Sequence, residues 1–285
     1  MPIELEHVAY TYMAGTTQAV PALSNVSLKI DDGELLGIIG HTGCGKSTMI
    51  QLIAGLFAPT EGRVLLDGQD INAKGYDRGI LRSCVGIVFQ YPEYQLFERT
   101  VERDIAFGLK YSGLSGGEVE ARVLRALEVM GFDFEHIRNQ SPMTLSGGEK
   151  RRVAIAGVLV TEPKILIFDE PIAGLDPIGR EAFLKLVTRL NTEGTTVIIV
   201  SHNSDAIAQY TRRVIVLDDG ALVIDDTPKR VFSDIELMQG LHLGVSTSRE
   251  ISALLTMRGI ELGSDIINYE ELLSSLKKRL TGGGA

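Results

Sequence analysis

Residues 35–48 read "LLGIIGHTGCGKST", and the order of the parts decides the fold. Leu35 to Ile39 form a short apolar run just after the turn residues Asp32-Gly33. A run of that kind reads as a strand buried on both faces, as strands of parallel sheets are. Gly40 through Ser47 match G-x-x-x-x-G-K-[ST], and "TMIQLIAGL" from Thr48 then carries apolar residues at helical spacing. Strand, glycine loop and helix in that order are the context in which this pattern wraps a phosphate. Gly40, Gly43 and Gly45 allow the loop to turn successive N–H groups inward. A helix starting near Lys46 adds the positive end of its dipole. Lys46 is then the candidate for the β- and γ-phosphates and Ser47 for Mg²⁺, with His41, Thr42, Cys44 and Thr48 completing the loop.

Outward from the loop, further buried strands are expected at Cys84–Phe89, Ile165–Phe168, Val197–Val200 and Val214–Leu217. Helical patterns lie between them, among them "REAFLKLVTRLNTEG" from Arg180 to Gly194. Alternation of this kind implies an α/β fold with a largely parallel sheet. Before it, "VPALSNVSLKI" alternates apolar and polar residues, as a strand of an N-terminal antiparallel β part does. From about residue 91 to 160 the patterns are mostly helical, which reads as a helical insert. After about Asp226 short segments are divided by Pro228, Gly240, Gly244, Gly259 and Gly263, ahead of an amphipathic helix "YEELLSSLKKRL". The expected division is therefore a main domain over 1–225 and a small C-terminal appendage over 226–285, with Gly282 to Gly284 frayed.

Composition bounds the function. The 285 residues carry a net charge of -9, against the basic face that a duplex-binding protein needs. No apolar run approaches the roughly 18 to 20 residues of a membrane span, and "MPIELEHVAY" has no secretory character. Cys44 and Cys84 lack metal or disulfide spacing, so a reducing cytosol fits.

"ILIFDE" places Asp169-Glu170 at the C-terminal end of a buried strand, where α/β sheets bind ligands. Asp169 is the candidate for holding Mg²⁺ and Glu170 for polarising an attacking water. The pentapeptide LSGGE occurs twice, at 114–118 and 145–149. Ser115 followed by Glu118 matches a helix capping box, a sufficient explanation of the first copy. The second copy leads into "KRR", three bases in the first turn of a helix whose dipole they oppose. An arriving anion would remove that conflict, and a solvated face would explain the bases equally well.

"LSGGEKRRVAIAGVL" followed by "EPKILIFDEPIAGLDP" resembles the signature, Walker B and D-loop block of ABC-type ATPases. The resemblance implies a P-loop NTPase (RecA-like) core that binds and hydrolyses ATP with Mg²⁺. It implies that Ser146, Gly147 and Gly148 bind the γ-phosphate held by an opposing subunit. It makes Gln90, ending "VGIVFQ", the Q-loop residue near Mg²⁺ and water, and His202, ending "VIIVSH", the switch histidine. Asp176 becomes the D-loop aspartate at the dimer interface, and Tyr12 (Tyr10 as runner-up) the aromatic that stacks on adenine. Glu149 stands where most members have Gln, Ile172 where Thr is usual and Cys44 where Ser is usual. An acid at 149 is positioned to tune nucleotide affinity. A thiol near a helix N-terminus is expected to have a lowered pKa, so alkylation should inactivate the enzyme and ATP should protect it.

"YPEYQLFERTVERDIAFG" after Gln90 narrows the resemblance to ATPase subunits of energy-coupling factor importers, which take up vitamins and transition-metal ions. The variety with "GHTG" in its P-loop is most similar. The partners this implies are a second ATPase, identical or a sister chain, a transmembrane coupling subunit and a membrane-embedded substrate-capture subunit, with no nucleic acid. The implied location is the cytoplasmic face of the cell membrane. Tyr91, Tyr94, Leu96 and Phe97 would form the docking surface, and the appendage would help dimerisation. The rival reading is a soluble ABC ATPase acting on DNA or ribosomes, disfavoured by the charge and by the lack of a long heptad arm.

Overall fold

A computed structural model describes residues 1–282. The chain opens with β1 (Ile3–Tyr12) and β2 (Val20–Ile30), paired antiparallel from Ile3↔Ile30 to Tyr12↔Val20. The alternation in β2 buries Leu23, Val26, Leu28 and Ile30 on one face. β3 (Leu35–Ile39) is buried throughout and runs through the glycine loop into α1 (Lys46–Ile53). Then come β4 (Glu61–Leu66), β5 (Gln69–Asp70), α2 (Arg78–Cys84) and β6 (Val85–Val88). Cys84 thus closes a helix rather than opening the strand, which is shorter than its apolar run.

Among the described residues no strand lies between β6 and β7 (Ile165–Asp169). The interval holds α3 (Val101–Ala106), α4 (Gly116–Val129), α5 (Phe134–Ile137) and α6 (Gly147–Leu159), joined by short 3₁₀ turns. After β7 follow α7 (Pro177–Thr192), β8 (Thr196–Val200), α8 (Ser204–Tyr210), β9 (Arg213–Asp218) and β10 (Ala221–Asp226). α7 begins three residues before the helical pattern does. Pro177 occupies its first turn, where a missing N–H costs nothing, and Asp176 caps it through Gly179 N at 2.6 Å.

Two sheets result. The antiparallel one has the order β2-β1-β4-β5, and the larger one β10-β9-β3-β8-β7-β6. In the larger sheet β9, β3, β8, β7 and β6 are mutually parallel, and β10 is antiparallel at the edge. Alternate side chains of β3 enter different cores. Leu36 and Ile38 pack with α1 and the antiparallel sheet, while Leu35 and Ile39 join a core shared with α3, α4, α6 and α7. Burial on both faces explains why these strands read as unbroken apolar runs. The helical interval shares that second core, since Val123, Leu127 and Val153 cluster with Leu166 and Phe168.

The last segment forms α9 (Pro228–Ser233), α10 (Ile235–Gly240), α11 (Thr247–Met257) and α12 (Tyr269–Gly282). Val231, Phe232 and Met238 fasten it to the same core, and Lys229 pairs with Glu271 at 3.0 Å. Gly282 is the final helical residue, and Gly283 and Gly284, where fraying was expected, lie outside the described residues. Among the described residues no helix is long and apolar enough to cross a membrane.

Candidate nucleotide site

Four neighbouring parallel strands, β3, β8, β7 and β6, bring the candidate residues to one edge of the sheet at their C-terminal ends. Gly40 follows β3, Ser201 and His202 follow β8, Asp169 ends β7 with Glu170 just after it, and Gln90 stands two residues past β6. This is the end of an α/β sheet at which ligands bind.

The loop after β3 is tightly packed from behind. Gly45 has φ 105°, and a Cβ there would lie 2.4 Å from the Ala22 carbonyl oxygen. A Cβ on Gly40 would lie 2.4 Å from both Cys44 Sγ and the Leu217 carbonyl oxygen. α1 has neither a side-chain cap nor an acid in its first turn, so its leading N–H groups are left for an anion. Lys46 folds across the loop, donating from Nζ to the carbonyls of Gly40 at 2.7 Å and His41 at 2.8 Å. His41 turns its ring to the β9–β10 turn, with Nε2 3.1 Å from Asp218 and 3.4 Å from Asp219.

The reactive-thiol expectation for Cys44 fails. Its side chain is 1% exposed and lies in the core beneath the loop, and burial pushes the thiol pKa up, with nearby Lys46 opposing. The helix-terminus argument overlooked that residue 44 can turn inward while its backbone still faces the loop.

Tyr12 is exposed but reaches the start of α1, where its hydroxyl lies 3.0 Å from Thr48 Oγ1. Tyr10 instead stacks on Phe57 with ring centroids 5.2 Å apart, so of the two Tyr12 is the one tied to the loop helix. Ser47 donates to Asp169 Oδ2 at 3.3 Å across 122 positions of sequence. Burial raises the Asp169 carboxyl pKa, and Glu170 adds to the rise, while Ser47 and Lys46 oppose it. A carboxylate penalised in this way beside a hydroxyl, both hard oxygen donors, fits a divalent cation such as Mg²⁺.

Glu170 has φ 49°, in the left-handed region, and its N–H is held by the Val200 carbonyl at 2.9 Å. That backbone turn aims the carboxylate at the end of β8. Oε1 accepts from the His202 N–H at 3.0 Å, and Oε2 accepts from Ser201 Oγ at 3.3 Å and lies 2.8 Å from His202 Nδ1. Ser201, fully buried, was missed in the sequence although it adjoins His202. Gln90 is exposed, and Tyr91 beside it also has a positive φ of 56°. Backbone strain at two such points is the kind that clusters at functional sites.

Ser146, Gly147 and Gly148 are not joined to this cluster. Among the described residues no hydrogen bond or ion pair connects them to the glycine loop. Ser146 caps α6 by accepting from the Glu149 N–H at 3.3 Å, and Glu149 Oε2 in return accepts from the Ser146 N–H at 2.9 Å. Glu149 is therefore occupied as a cap. Of the three bases that follow, Arg151 departs from both the anion-site and the solvated-face expectation, while Arg152 stays exposed. Arg151 is buried, donating Nη1 to the Ala173 carbonyl at 2.9 Å and Nη2 to the Pro171 carbonyl. Arg152 lies over the Phe132 ring at 4.3 Å. Ile172, between the two carbonyls, is 4% exposed and packs in the core, which accounts for an apolar residue there.

A family profile described as ABC transporter matches residues 23–173, which include the loop, Gln90, the second LSGGE and Asp169-Glu170. The chain belongs to the ABC transporter family. Among curated ABC ATPases, it is 45% identical to the energy-coupling factor transporter ATP-binding protein EcfA2 of Symbiobacterium thermophilum, over 99% of this chain and 98% of that one. The EcfA2 protein of Clostridium acetobutylicum is 44% identical over 95% of each. These relatives place it among the energy-coupling factor transporter ATP-binding proteins. Among solved structures, cbiO1 of Clostridium perfringens, part of the ABC transporter complex cbiONQ, superposes with a TM-score of 0.74 at 37% identity, over 89% of this chain and 98% of that one. A dimeric post-hydrolysis state of the ATP-binding cassette MJ0796 with ADP and Pi superposes at 0.71 and 35% identity, over 79% and 98%. The ABC ATPase fold and the ATP-hydrolysing class follow from these matches.

Proposed function

We propose that this chain is the ATP-hydrolysing subunit of an energy-coupling factor importer, powering uptake of vitamins or transition-metal ions from the cytoplasmic face of the membrane. The observation that carries the reading is the set of four adjacent strand ends holding Gly40–Thr48, Ser201-His202, Asp169-Glu170 and Gln90.

In this reading the backbone of Gly40 to Lys46, with Ser47 and Thr48, cradles the phosphates of ATP, and Tyr12 packs on the adenine. Lys46 moves from the Gly40 and His41 carbonyls onto the β- and γ-phosphates, a short shift because its ammonium already spans the loop. Ser47, Asp169 and Gln90 hold Mg²⁺, which when bound neutralises charge on the phosphate oxygens. Glu170 orients and polarises the attacking water, and His202 faces the γ-phosphate. Both groups are pre-set by their mutual contact and by Ser201, so little reorganisation is left for the reacting complex.

Two ABC subunits close around two nucleotides, and Ser146, Gly147 and Gly148 of each serve the nucleotide on the other, with Asp176 at the interface. The separation of the signature from its own glycine loop supports that division. Tyr91, Tyr94 and Phe97, exposed just beyond Gln90, form the docking surface for a transmembrane coupling subunit, which works beside a membrane-embedded substrate-capture subunit, whereas Leu96, expected with them, is buried in the core. Residues 91–160 act as the moving helical insert and 226–285 as the dimerisation appendage.

Glu170→Gln tests the catalytic assignment. The variant should bind ATP normally and lose roughly 100-fold or more in turnover, the scale of a lost general base. Unchanged hydrolysis would overturn the role of Glu170.

A further inference from the structure

Among the described residues Arg151 is the one charged residue that is buried, at 7% exposure. It is the fifth residue of α6, toward the helix end that disfavours a cation, so local helix stability does not explain it. Phosphate does not explain it either, because its fork is spent on the carbonyls of Pro171 and Ala173. Those carbonyls lie one and three residues beyond Glu170, and Ile172 between them is fixed in the core. The guanidinium therefore ties the start of the signature helix to the backbone that leaves the hydrolytic carboxylate.

The other side of this junction is the turn Pro92–Gln95, which packs on α6 directly after Gln90. Glu93 in that turn buries Oε2 without a hydrogen-bond donor among the described residues. Burial disfavours the Arg151 cation, and Glu93 is the largest influence acting the other way. A buried ion is costly to keep, and apolar replacements at such places are often tolerated. Its presence is explained by what it joins.

We propose that Arg151 is a positioning residue that locks the signature helix to the Glu170 strand end, with Glu93 as its counter-charge on the docking turn. Displacement of residues 91–97 by the membrane subunit is then passed through one side chain to two places at once. One is the carboxylate acting on this chain's own nucleotide, and the other is the signature acting on its partner's. The inference rests on the reading that Ser146 to Gly148 work across the dimer.

The test uses the assembled transporter in liposomes, with ATP binding measured on the isolated chain. Arg151→Met should leave ATP binding within about twofold and lower turnover in the complex about tenfold at a nearly unchanged KM, a loss confined to the transition state. Arg151→Lys should recover part of that loss, because it keeps the charge but cannot fork to two carbonyls. Glu93→Gln should also lower turnover, and the double variant Glu93→Gln with Arg151→Met should be no slower than Arg151→Met alone. Additive losses, full turnover in Arg151→Met, or ATP binding that falls in step with turnover would each overturn the proposal. If Arg151→Met fails to fold, the same cycle with Arg151→Lys decides it. Ser146→Arg separates the two readings: turnover retained there sinks the cross-dimer signature, whereas turnover lost there but kept in Arg151→Met sinks only this inference.

Discussion

Residues 114–118 and 145–149 spell the same pentapeptide, and they build the same cap. Ser115 and Ser146 each accept from a glutamate N–H, at 3.5 and 3.3 Å, and each hydroxyl donates to that glutamate's Oε2, at 2.7 and 2.6 Å. Both glycine pairs, 116–117 and 147–148, face open space, where an added Cβ would touch nothing within 4 Å. What differs is the helix behind each cap. α4 buries Val123, Ala126 and Leu127 and holds its other side by surface pairs such as Arg122–Glu162. α6 buries Arg151, Val153 to Ala156 and Leu159, packs on the turn after Gln90 and reaches the backbone after Glu170. Identical caps thus sit on different bodies, and N–H groups at a helix start can hold an anion in either place.

Substituting the matched glycines should separate the copies most. Gly147→Leu should lower ATP turnover of the assembled complex by more than about tenfold, because the new side chain projects into the face offered to the partner's nucleotide. Gly116→Leu should leave turnover unchanged. Equal losses would break the distinction.

The caps themselves should respond alike. Ser115→Ala and Ser146→Ala should each cost about 1 kcal/mol of local helix stability, read by hydrogen exchange at the first turns of α4 and α6. A much larger cost at Ser146 would mean that the signature cap is structurally special, contrary to the geometry.

The smallest effect is in titration. Glu118 and Glu149 are both held below the usual carboxylate range, first by the side-chain hydrogen bond with their serine and next by its N–H. A depressed folded pKa contributes stability that is present above the ordinary glutamate value and lost as pH falls through the folded one. The two carboxyls should therefore both titrate below the ordinary glutamate value by NMR in the nucleotide-free protein, and ATP should shift Glu149 alone in the dimer. A shift at Glu118 would count against the assignment.

Much of this architecture was legible beforehand for a physical reason. Strands buried on both faces must be apolar throughout, so β3, β7 and β8 stand out, and a ligand site at their C-terminal ends follows from the topology. The second LSGGE is set apart from the first in the sequence by the Asp169-Glu170 strand that follows it, a distinction that the paired substitutions test. Side-chain direction was not legible. Cys44 turns into the core although its neighbours line the loop, and Arg151 turns inward from a run of three bases that reads equally as an anion site or a solvated face. Neither shows a periodicity that one-dimensional patterning can register. α7 was placed three residues late, although Asp176-Pro177 carried the cap and first-turn proline that mark a helix start.

The account stands most directly on one paired measurement, ATP turnover of the assembled transporter carrying Ser146→Arg against the same complex carrying Ser115→Arg. It predicts no turnover in the first and wild-type turnover in the second, with both isolated chains still binding ATP. Equal activity of the two variants, whether retained or lost, would contradict it.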